Sequence, residues 1–549
     1  MRTYLMRAYL LSATAAIALM ASGAAAHDKP VTLIEGLGDH YHTIATAQKD
    51  AQSYFNQGLI LTFAFNHAEA IRAYERAAEL DPASPMPLWG IAYALGPNYN
   101  LPAGPDELKQ AHELVQKALK LAEKAPARER AYVEALAARY SSDPNADYAK
   151  LAQDFSARMK ALSEAYPDDL DAATLYAESM MNLNPWNLWT KDGKPWDRTM
   201  DVVAVLERVL ARDPSHPGAN HLYIHAVEAS PHPEWALAAA KRLETISPAS
   251  GHLVHMPSHI YMLVGDYKAA ADANVIAAKV DKDYIDNEHV KGAYPMLYFH
   301  HNLHFIAAAR GMEGRYGDAA EAASRLTESL HTHADDIPGL RNFVTEYFGM
   351  YPLLTAARFH DWKTVMAAKE PAEDLPISRG LRHYVRGVAF AADGDVDGAT
   401  AERNSLDKLI ASLPTESRYG NSPAKEVLSV GLLIVDARIA RQKGDLEKAA
   451  ADLGAAVAMQ DRLAYNEPAD WHYPVRESLG AALLKAGKAS EAEAVFRDDL
   501  KKNPRGGRSL FGLAEALEAQ GKTDEAMLVR QEFNDAWRTA EIEPNLDTM

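Results

Sequence analysis

Apolar and small residues recur every three to four positions along most of the chain, from about residue 50 to residue 540. This spacing is the period of an amphipathic helix, whereas a half-buried strand would alternate apolar and polar residues. Glycine or proline interrupts the helical stretches at short intervals. The pattern therefore predicts an all-α chain of short helices joined by tight turns.

The helical stretches repeat with a period of 34 residues. Near the C-terminus, Gly487 and Gly521 are 34 positions apart, and so are Gly480 and Ala514. A small residue inside a helix lets a neighbouring helix approach closely, and a glycine in the turn permits a left-handed backbone. The same turn place holds Gly265, Gly314, Gly394 and Gly444.

This arrangement resembles the tetratricopeptide repeat, a helix-turn-helix unit of 34 residues. The motifs FNHAEA, HLYIHAVEAS, GHLVHMPSHIY and HNLHFI also resemble those of large exported bacterial proteins of this repeat type, whose function is unsettled. The resemblance implies a solenoid of helical hairpins, a right-handed superhelix with a concave groove that binds a peptide, a protein or a small molecule. We expect an N-terminal arm at 27–50, repeat arrays at 51–345 and 346–540, and a tail at 541–549.

The first 26 residues have the pattern of an export signal. Arg2 and Arg7 precede an apolar run that closes on Ala24-Ala25-Ala26, a small-residue cleavage pattern. A membrane anchor is the alternative, but the apolar run is short for a membrane span. We expect a mature protein without a membrane span, exported to the periplasm or secreted.

Charge and cysteine content narrow the chemistry. The formal net charge is −18, and removing the two arginines of the leader makes it −20. An acidic surface repels phosphate backbones, so we expect no nucleic acid partner. The chain has no cysteine, which excludes disulfides, thiolate nucleophiles and cysteine-ligated zinc.

Histidines concentrate on one face of three repeats. Counted from the start of each repeat at 217, 251 and 300, the second, fifth, ninth and twelfth places share a helix face. Seven of these twelve places hold histidine, although the whole chain has only 21 histidines in 549 residues. The seven are His221, His225, His252, His255, His259, His301 and His304. Glu228 lies on the same face, and Glu178 occupies the equivalent place upstream.

We interpret this face as a metal site. Imidazoles with one or two carboxylates suit zinc, copper, iron or nickel. The candidate ligands are His221, His225, His255, His259, His301, His304, Glu178 and Glu228. Because packed helices lie roughly 8–10 Å apart, side chains from neighbouring repeats can meet, and we predict that His225 and His259 share one site. Candidate contacts to a further ligand are His252, Asn98, Asn100, Trp186 and Trp189.

Several alternatives stay open at this stage. The alternatives to a metal-binding site are a peptide-binding groove without metal and a purely structural polar lining, and a bound metal would also allow an enzyme that uses a glutamate as base. The tryptophans either form a stacking surface or hold down the insertion at 184–199. Pro257 requires that a helix begin or kink there, and in the first case His252 and His255 lie in a loop. No catalytic motif is present, so the catalytic residues are unknown.

Overall fold

The fold is all-α, as the sequence pattern predicts. A computed structural model describes residues 29–333 and 339–549, so the expected leader lies outside the described residues. Contacts divide the chain into two compact units. The first comprises the residues up to Ile260 and Ile276–Phe299, and the second comprises Tyr261–Val275 and His300–Met549.

An N-terminal arm, described from Lys29 onward, precedes the first helix. The helices that follow it extend, in chain order, up to residue 288. They are α1 (Lys49–Phe63), α2 (His67–Leu80), α3 (Met86–Ala94), α4 (Pro105–Ala122), α5 (Ala127–Ala137), α6 (Tyr148–Ala165), α7 (Leu170–Met181), α8 (Thr199–Arg212), α9 (Pro217–Val227), α10 (Leu237–Ile246), α11 (Gly251–His255), α12 (Pro257–Leu263) and α13 (Tyr267–Glu288). A 3₁₀ turn at Pro233–Ala236 precedes α10, and a π-helical turn at Tyr294–Phe299 follows α13.

The later helices continue the pattern of consecutive hairpins. They are α14 (His300–Met312), α15 (Tyr316–His333), α16 (Arg341–Phe348), α17 (Tyr351–Arg358), α18 (Trp362–Ala367), α19 (Pro376–Ala392), α20 (Val396–Ser412), α21 (Ala424–Gln442), α22 (Leu446–Gln460), α23 (Val475–Lys485), α24 (Ala489–Lys502), α25 (Gly507–Ala519) and α26 (Thr523–Ala536). Two short strands, β1 (Arg418–Tyr419) and β2 (Ser422–Pro423), form an antiparallel hairpin between α20 and α21.

In two of the repeats, glycines inside the helices let neighbouring helices pack closely around one aromatic ring. In the first repeat, a Cβ on Gly58 or Gly90 would lie 2.6 Å from the ring of Tyr74. Near the C-terminus, a Cβ on Gly480 or Gly512 would lie 2.4 or 2.2 Å from the ring of Phe496. The role predicted for the small residues of the 34-residue pattern is therefore confirmed.

The turn glycines have the left-handed backbone that the repeat requires, with φ between 73° and 83°. They are Gly265, Gly314, Gly394, Gly444, Gly487 and Gly521. In the first repeat the same place, two residues after the end of α1, is occupied by Phe65 with φ of 55°. A bulky residue in this region is strained, so some other contact must hold Phe65 in place.

The helix at Pro257 breaks and restarts. Helix α11 ends at His255, Met256 lies in the break, and Pro257 is the first residue of α12. Proline fits the first turn because its missing N–H has no partner there in any case. His252 and His255 therefore lie on a short helix and not on a loop.

Within the part of the chain that the structure describes, no helix is both long and apolar enough to cross a bilayer.

Candidate metal centre

Three buried histidines of the first unit bring their ring nitrogens together. His221 and His225 lie one turn apart on α9, and His252 lies on α11 in the next repeat. One ring nitrogen from each lies within 4.8 Å of the other two. The side chains are almost fully enclosed, with exposed fractions of 0%, 1% and 3%. Spacing along α9 and stacking of adjacent repeats together create the cluster.

The Nε2 atoms of these three rings are buried and have no hydrogen-bond partner among the described residues. A buried polar atom without a partner costs free energy, and native proteins rarely leave one in that state. Here all three rings that carry such an atom belong to one cluster of ring nitrogens. This arrangement is typical of a site whose ligand is an ion.

Hydrogen bonds on the opposite ring nitrogens fix which atom carries the proton. The Nδ1 of His221 lies 2.6 Å from the carbonyl oxygen of Phe63. The Nδ1 of His225 lies 2.9 Å from Oε1 of Glu228. Both partners are acceptors, so each Nδ1 donates, and the unprotonated form of each ring then has its lone pair on Nε2. Metal-binding histidines are usually oriented in this way.

Glu228 joins this cluster to a second histidine pair. Its Oε2 accepts a hydrogen bond from Nδ1 of His259 at 2.8 Å, while its Oε1 accepts from His225. Burial alone would raise the pKa of Glu228, but the two imidazoles and their hydrogen bonds hold it well below its usual range. The carboxylate is therefore ionised. The structure links the two residues that the sequence assigned to one site, His225 and His259, through Glu228.

His255 and His259 form the second pair. Their Nε2 atoms lie 2.8 Å apart, as the four-residue spacing across the helix break allows. Because Nδ1 of His259 donates to Glu228, its Nε2 can accept the Nε2 proton of His255. The two rings are therefore joined by a hydrogen bond between their Nε2 atoms.

Burial disfavours protonation of two rings of the cluster, His221 and His252. It lowers the pKa of His221 well below the usual range, and the neighbouring His225 lowers it further. The pKa of His252 is lowered well below its usual range by burial and by His221. Metal ligation requires the unprotonated imidazole, so these rings are prepared for it near neutral pH.

Aromatic rings enclose the cluster on another side. The ring of Phe65 stacks on His225 at 6.0 Å and on His252 at 5.7 Å between centroids. Tyr99 lies 5.1 Å from His225 and stacks on Trp186 at 5.5 Å. Trp186, like Phe65, has a left-handed backbone, with φ of 60°. The ring of Trp186 also lies 6.0 Å from that of His225. Phe65 and Trp186, both with a left-handed backbone, therefore contact the same histidine.

The other candidates from the sequence lie elsewhere. Glu178 is buried on α7, where its Oε2 accepts a hydrogen bond from the Tyr93 hydroxyl at 2.8 Å. Trp189 donates its indole N–H to the carbonyl of Ala226 at 2.7 Å and so holds the 184–199 insertion against α9. Asn98 caps a turn by accepting the backbone N–H groups of Asn100 and Leu101.

His301 and His304 both belong to the second unit. His304 is surrounded by Tyr347, Phe348 and Tyr351, with ring centroids 5.6, 5.6 and 4.2 Å away. His301 packs against Phe305 at 4.9 Å. Their assignment as metal ligands stays a prediction.

Sequence reasoning missed the residues that approach the cluster from the first repeat and its neighbours. Phe63, Phe65 and Tyr99 lie more than 100 positions before the histidines they contact. Only Phe65 carried a local signal, because an aromatic residue replaces glycine at its turn. The contact of the Phe63 backbone carbonyl with His221 could not be predicted, because every residue has a backbone carbonyl.

Comparison with known proteins agrees with the repeat reading. Residues 51–84 match the tetratricopeptide repeat. A human IFIT1 dimer with m7Gppp-AAAA aligns at 12% identity and a TM-score of 0.32, over 90% of this chain and 91% of that one. Yeast Tom70 aligns at 15% identity and 0.26, over 90% and 93%. The APC/C hetero-tetramer Cut9-Hcn1 aligns at 14% and 0.30, over 91% and 97%. No curated protein sequence matches the chain.

Proposed function

We propose that this helical-repeat protein binds a divalent transition metal at His221, His225 and His252. One observation carries the proposal. Each of these rings has a buried Nε2 with no partner in the described chain, and one ring nitrogen of each lies within 4.8 Å of the other two. Nitrogens on one tetrahedral zinc ion lie about 3.4 Å apart, so a small inward movement of the rings is sufficient.

The donor set favours zinc, copper, iron or nickel. Neutral imidazoles suit these metals, whereas magnesium and calcium prefer carboxylate and carbonyl oxygens. Glu228 and the Phe63 carbonyl hold two of the rings by their Nδ1 atoms and raise their basicity. Three protein ligands leave a coordination position for water or a small ligand.

Export completes the proposal. The leader pattern at 1–26 directs the chain to the periplasm or the medium, where metals are taken up from solution. A histidine centre without cysteine suits an oxidising compartment, because no thiol is present to be oxidised.

Metal content tests the centre. The purified protein, incubated with each of the four metals and dialysed, should retain about one equivalent of the preferred metal by elemental analysis. Metal bound only to the folded state should raise thermal stability, by about 2.7 kcal/mol at a free metal concentration one hundred times the Kd. A chelator should remove that gain.

Matched variants locate the metal. His225→Gln and His252→Gln should each lose most of the bound metal. His472→Gln is the control, because His472 is a histidine of the second unit whose Nε2 is also buried without a partner in the described residues. Unchanged metal content in His252→Gln would remove that residue from the site. Wild-type protein that retains none of the four metals contradicts the proposal.

Peptide binding is the second candidate, since helical repeats of this kind are suited to binding proteins. The second unit contains a cavity of about 370 Å³ with aromatic and charged walls. Tyr267, Tyr351 and Trp471 line it together with Arg476 and Lys502. A wild-type protein without metal would leave this candidate ahead.

A further inference from the structure

A second histidine cluster surrounds a single carboxylate at the N-terminal arm. Asp171, at the start of α7, receives three rings. Its Oδ1 lies 2.8 Å from Nε2 of His40 and 3.2 Å from Nε2 of His216, and its Oδ2 lies 2.7 Å from Nδ1 of His42. Burial would raise the pKa of Asp171, but His40 and the hydrogen bonds from the other rings hold it well below its usual range.

This cluster differs from the metal centre in its proton positions. His216 caps α9, because its Nδ1 accepts the backbone N–H of Ala219 at 3.2 Å. Its Nε2 therefore carries the proton and donates to Asp171, so this nitrogen has no lone pair for a metal. The three rings serve to hold Asp171 and the arm in place.

The arm encloses a polar cavity of about 790 Å³. Residues 36–43 of the arm form one wall, and the loops at 168–171, 213–217 and 245–248 form the others. The arm is anchored by its backbone. The carbonyl of Gly36 accepts the N–H of Ala249 at 3.0 Å, and a Cβ on Gly38 would lie 2.4 Å from the carbonyl oxygen of Ile246. The cavity is thus a preformed part of the first unit.

Three buried polar atoms of its lining have no hydrogen-bond partner in the described residues. They are Nε2 of His42, Oδ2 of Asp169 and Oγ of Ser247. The exposed fractions of these residues are 5%, 8% and 0%. A neutral His42 that donates Nδ1–H to Asp171 presents a lone pair at Nε2. Two of the three atoms are therefore acceptors that require a donor.

The net charge of the cavity lining is negative. Arg128 is the one arginine or lysine in the lining, and its Nη1 lies 3.7 Å from Oδ2 of Asp169, beyond hydrogen-bond distance. The carboxylates outnumber it, even with a positive charge on His40, whose pKa is raised by Asp171 against the effect of burial. They are Asp39, Asp168, Asp169, Asp171 and Asp213. Such a cavity attracts a cation.

We propose that this cavity binds a small organic ammonium compound, such as a diamine or polyamine, whose N–H groups donate to Asp169 and His42. A volume of about 790 Å³ lies in the range of small-molecule sites and far exceeds a single ion. An ammonium group supplies three donors and a positive charge, which matches two unpartnered acceptors and an excess of carboxylates. The site is separate from the histidine centre and does not depend on its metal.

Calorimetric titration of the full-length protein tests the proposal. The probes are 1,4-diaminobutane and spermidine, in buffer with EDTA, so that divalent ions do not contribute. We expect saturable binding of at least one amine. The Asp169→Asn variant should bind it at least tenfold more weakly, because a charge-assisted hydrogen bond is lost.

Asp147→Asn is the matched control. Asp169 and Asp147 both cap a helix through their side chains, at α7 and α6, and asparagine caps a helix equally well. Both variants should therefore fold, which circular dichroism checks, and Asp147→Asn should bind the amine like the wild type. Absence of amine binding at millimolar concentration overturns the proposal, and so does equal affinity in Asp169→Asn. Binding of Mg²⁺ or Ca²⁺ alone, in buffer without EDTA, also overturns it in favour of an ion site.

Discussion

Buried histidines occur in both units, and they differ in what their ring nitrogens contact. His221 and His225 each donate from Nδ1 to an oxygen acceptor, and both belong to a cluster of three histidine rings. His304 instead lies among aromatic rings, and its Nδ1 is buried without a partner in the described chain. Burial alone therefore does not identify a metal ligand. A better indication of a metal ligand is a histidine whose Nδ1 donates to an oxygen acceptor and whose ring lies next to other potential metal ligands.

His304 should make stability depend on pH. Burial lowers its pKa to about 3, whereas an unfolded histidine titrates near 6.5. The unfolded chain therefore binds this proton first, so its contribution is fully present above about pH 6.5 and is lost as pH falls toward 3. At pH 5 the expected loss is about 2 kcal/mol. Urea unfolding of wild type and His304→Phe at pH 7.5 and pH 5 measures it. Equal pH dependence of the free energy of unfolding in the two proteins would contradict the attribution of this loss to His304.

At the scale of the element, the hairpins were predictable because each depends on local sequence. Gly480 marks where a neighbouring helix can approach closely, and Gly487 marks the turn. The structure confirms both, because Gly480 lies against the ring of Phe496 and Gly487 has a left-handed backbone. The break at Pro257 was predictable in position but not in form. Whether residues before a proline continue as helix depends on tertiary packing, and here Gly251–His255 form a short helix of their own.

A pair of glycine substitutions separates packing from helix propensity. Gly480 and Gly454 both lie inside helices, but a Cβ on Gly480 would meet Phe496 at 2.4 Å, whereas nothing lies within 4 Å of one on Gly454. Gly480→Ala should lower the free energy of unfolding by about 1–3 kcal/mol through overpacking. Gly454→Ala should raise it by about 0.5–1 kcal/mol. Urea unfolding followed by circular dichroism measures both. The same sign for both would contradict the hairpin packing.

At the scale of the whole molecule, the sequence predicted which histidines share a face but not what surrounds them. The 34-residue phase placed His221, His225 and His252 on one face of successive repeats. It did not place the Phe63 carbonyl, because α1 and α9 meet only through the stacking of distant repeats. The Asp171 cluster was missed for the same reason, since its rings come from the arm and from α9.

Export is tested on the complete chain in a bacterial host. We expect cleavage after Ala26, so that protein from the periplasm or medium begins at His27 and has lost the two arginines of the leader. N-terminal sequencing and intact mass measure this. Replacing Ala24 and Ala26 by arginine should block cleavage, whereas replacing Ala45, far from the cleavage pattern, should not. An intact N-terminus on cytoplasmic wild-type protein would contradict export.

The backbone of Phe65 has a consequence for how quickly an ion could be exchanged. The ring that covers His225 and His252 is carried by the tight turn between α1 and α2, and Phe65 is only 3% exposed. A ring in this position cannot swing aside by a rotamer change alone. We expect it to leave only when the turn itself opens, a local unfolding event slower than side-chain motion. The rate at which a bound ion leaves the site would then be limited by the opening of the first hairpin, and not by the strength of the bonds between the ion and its ligands.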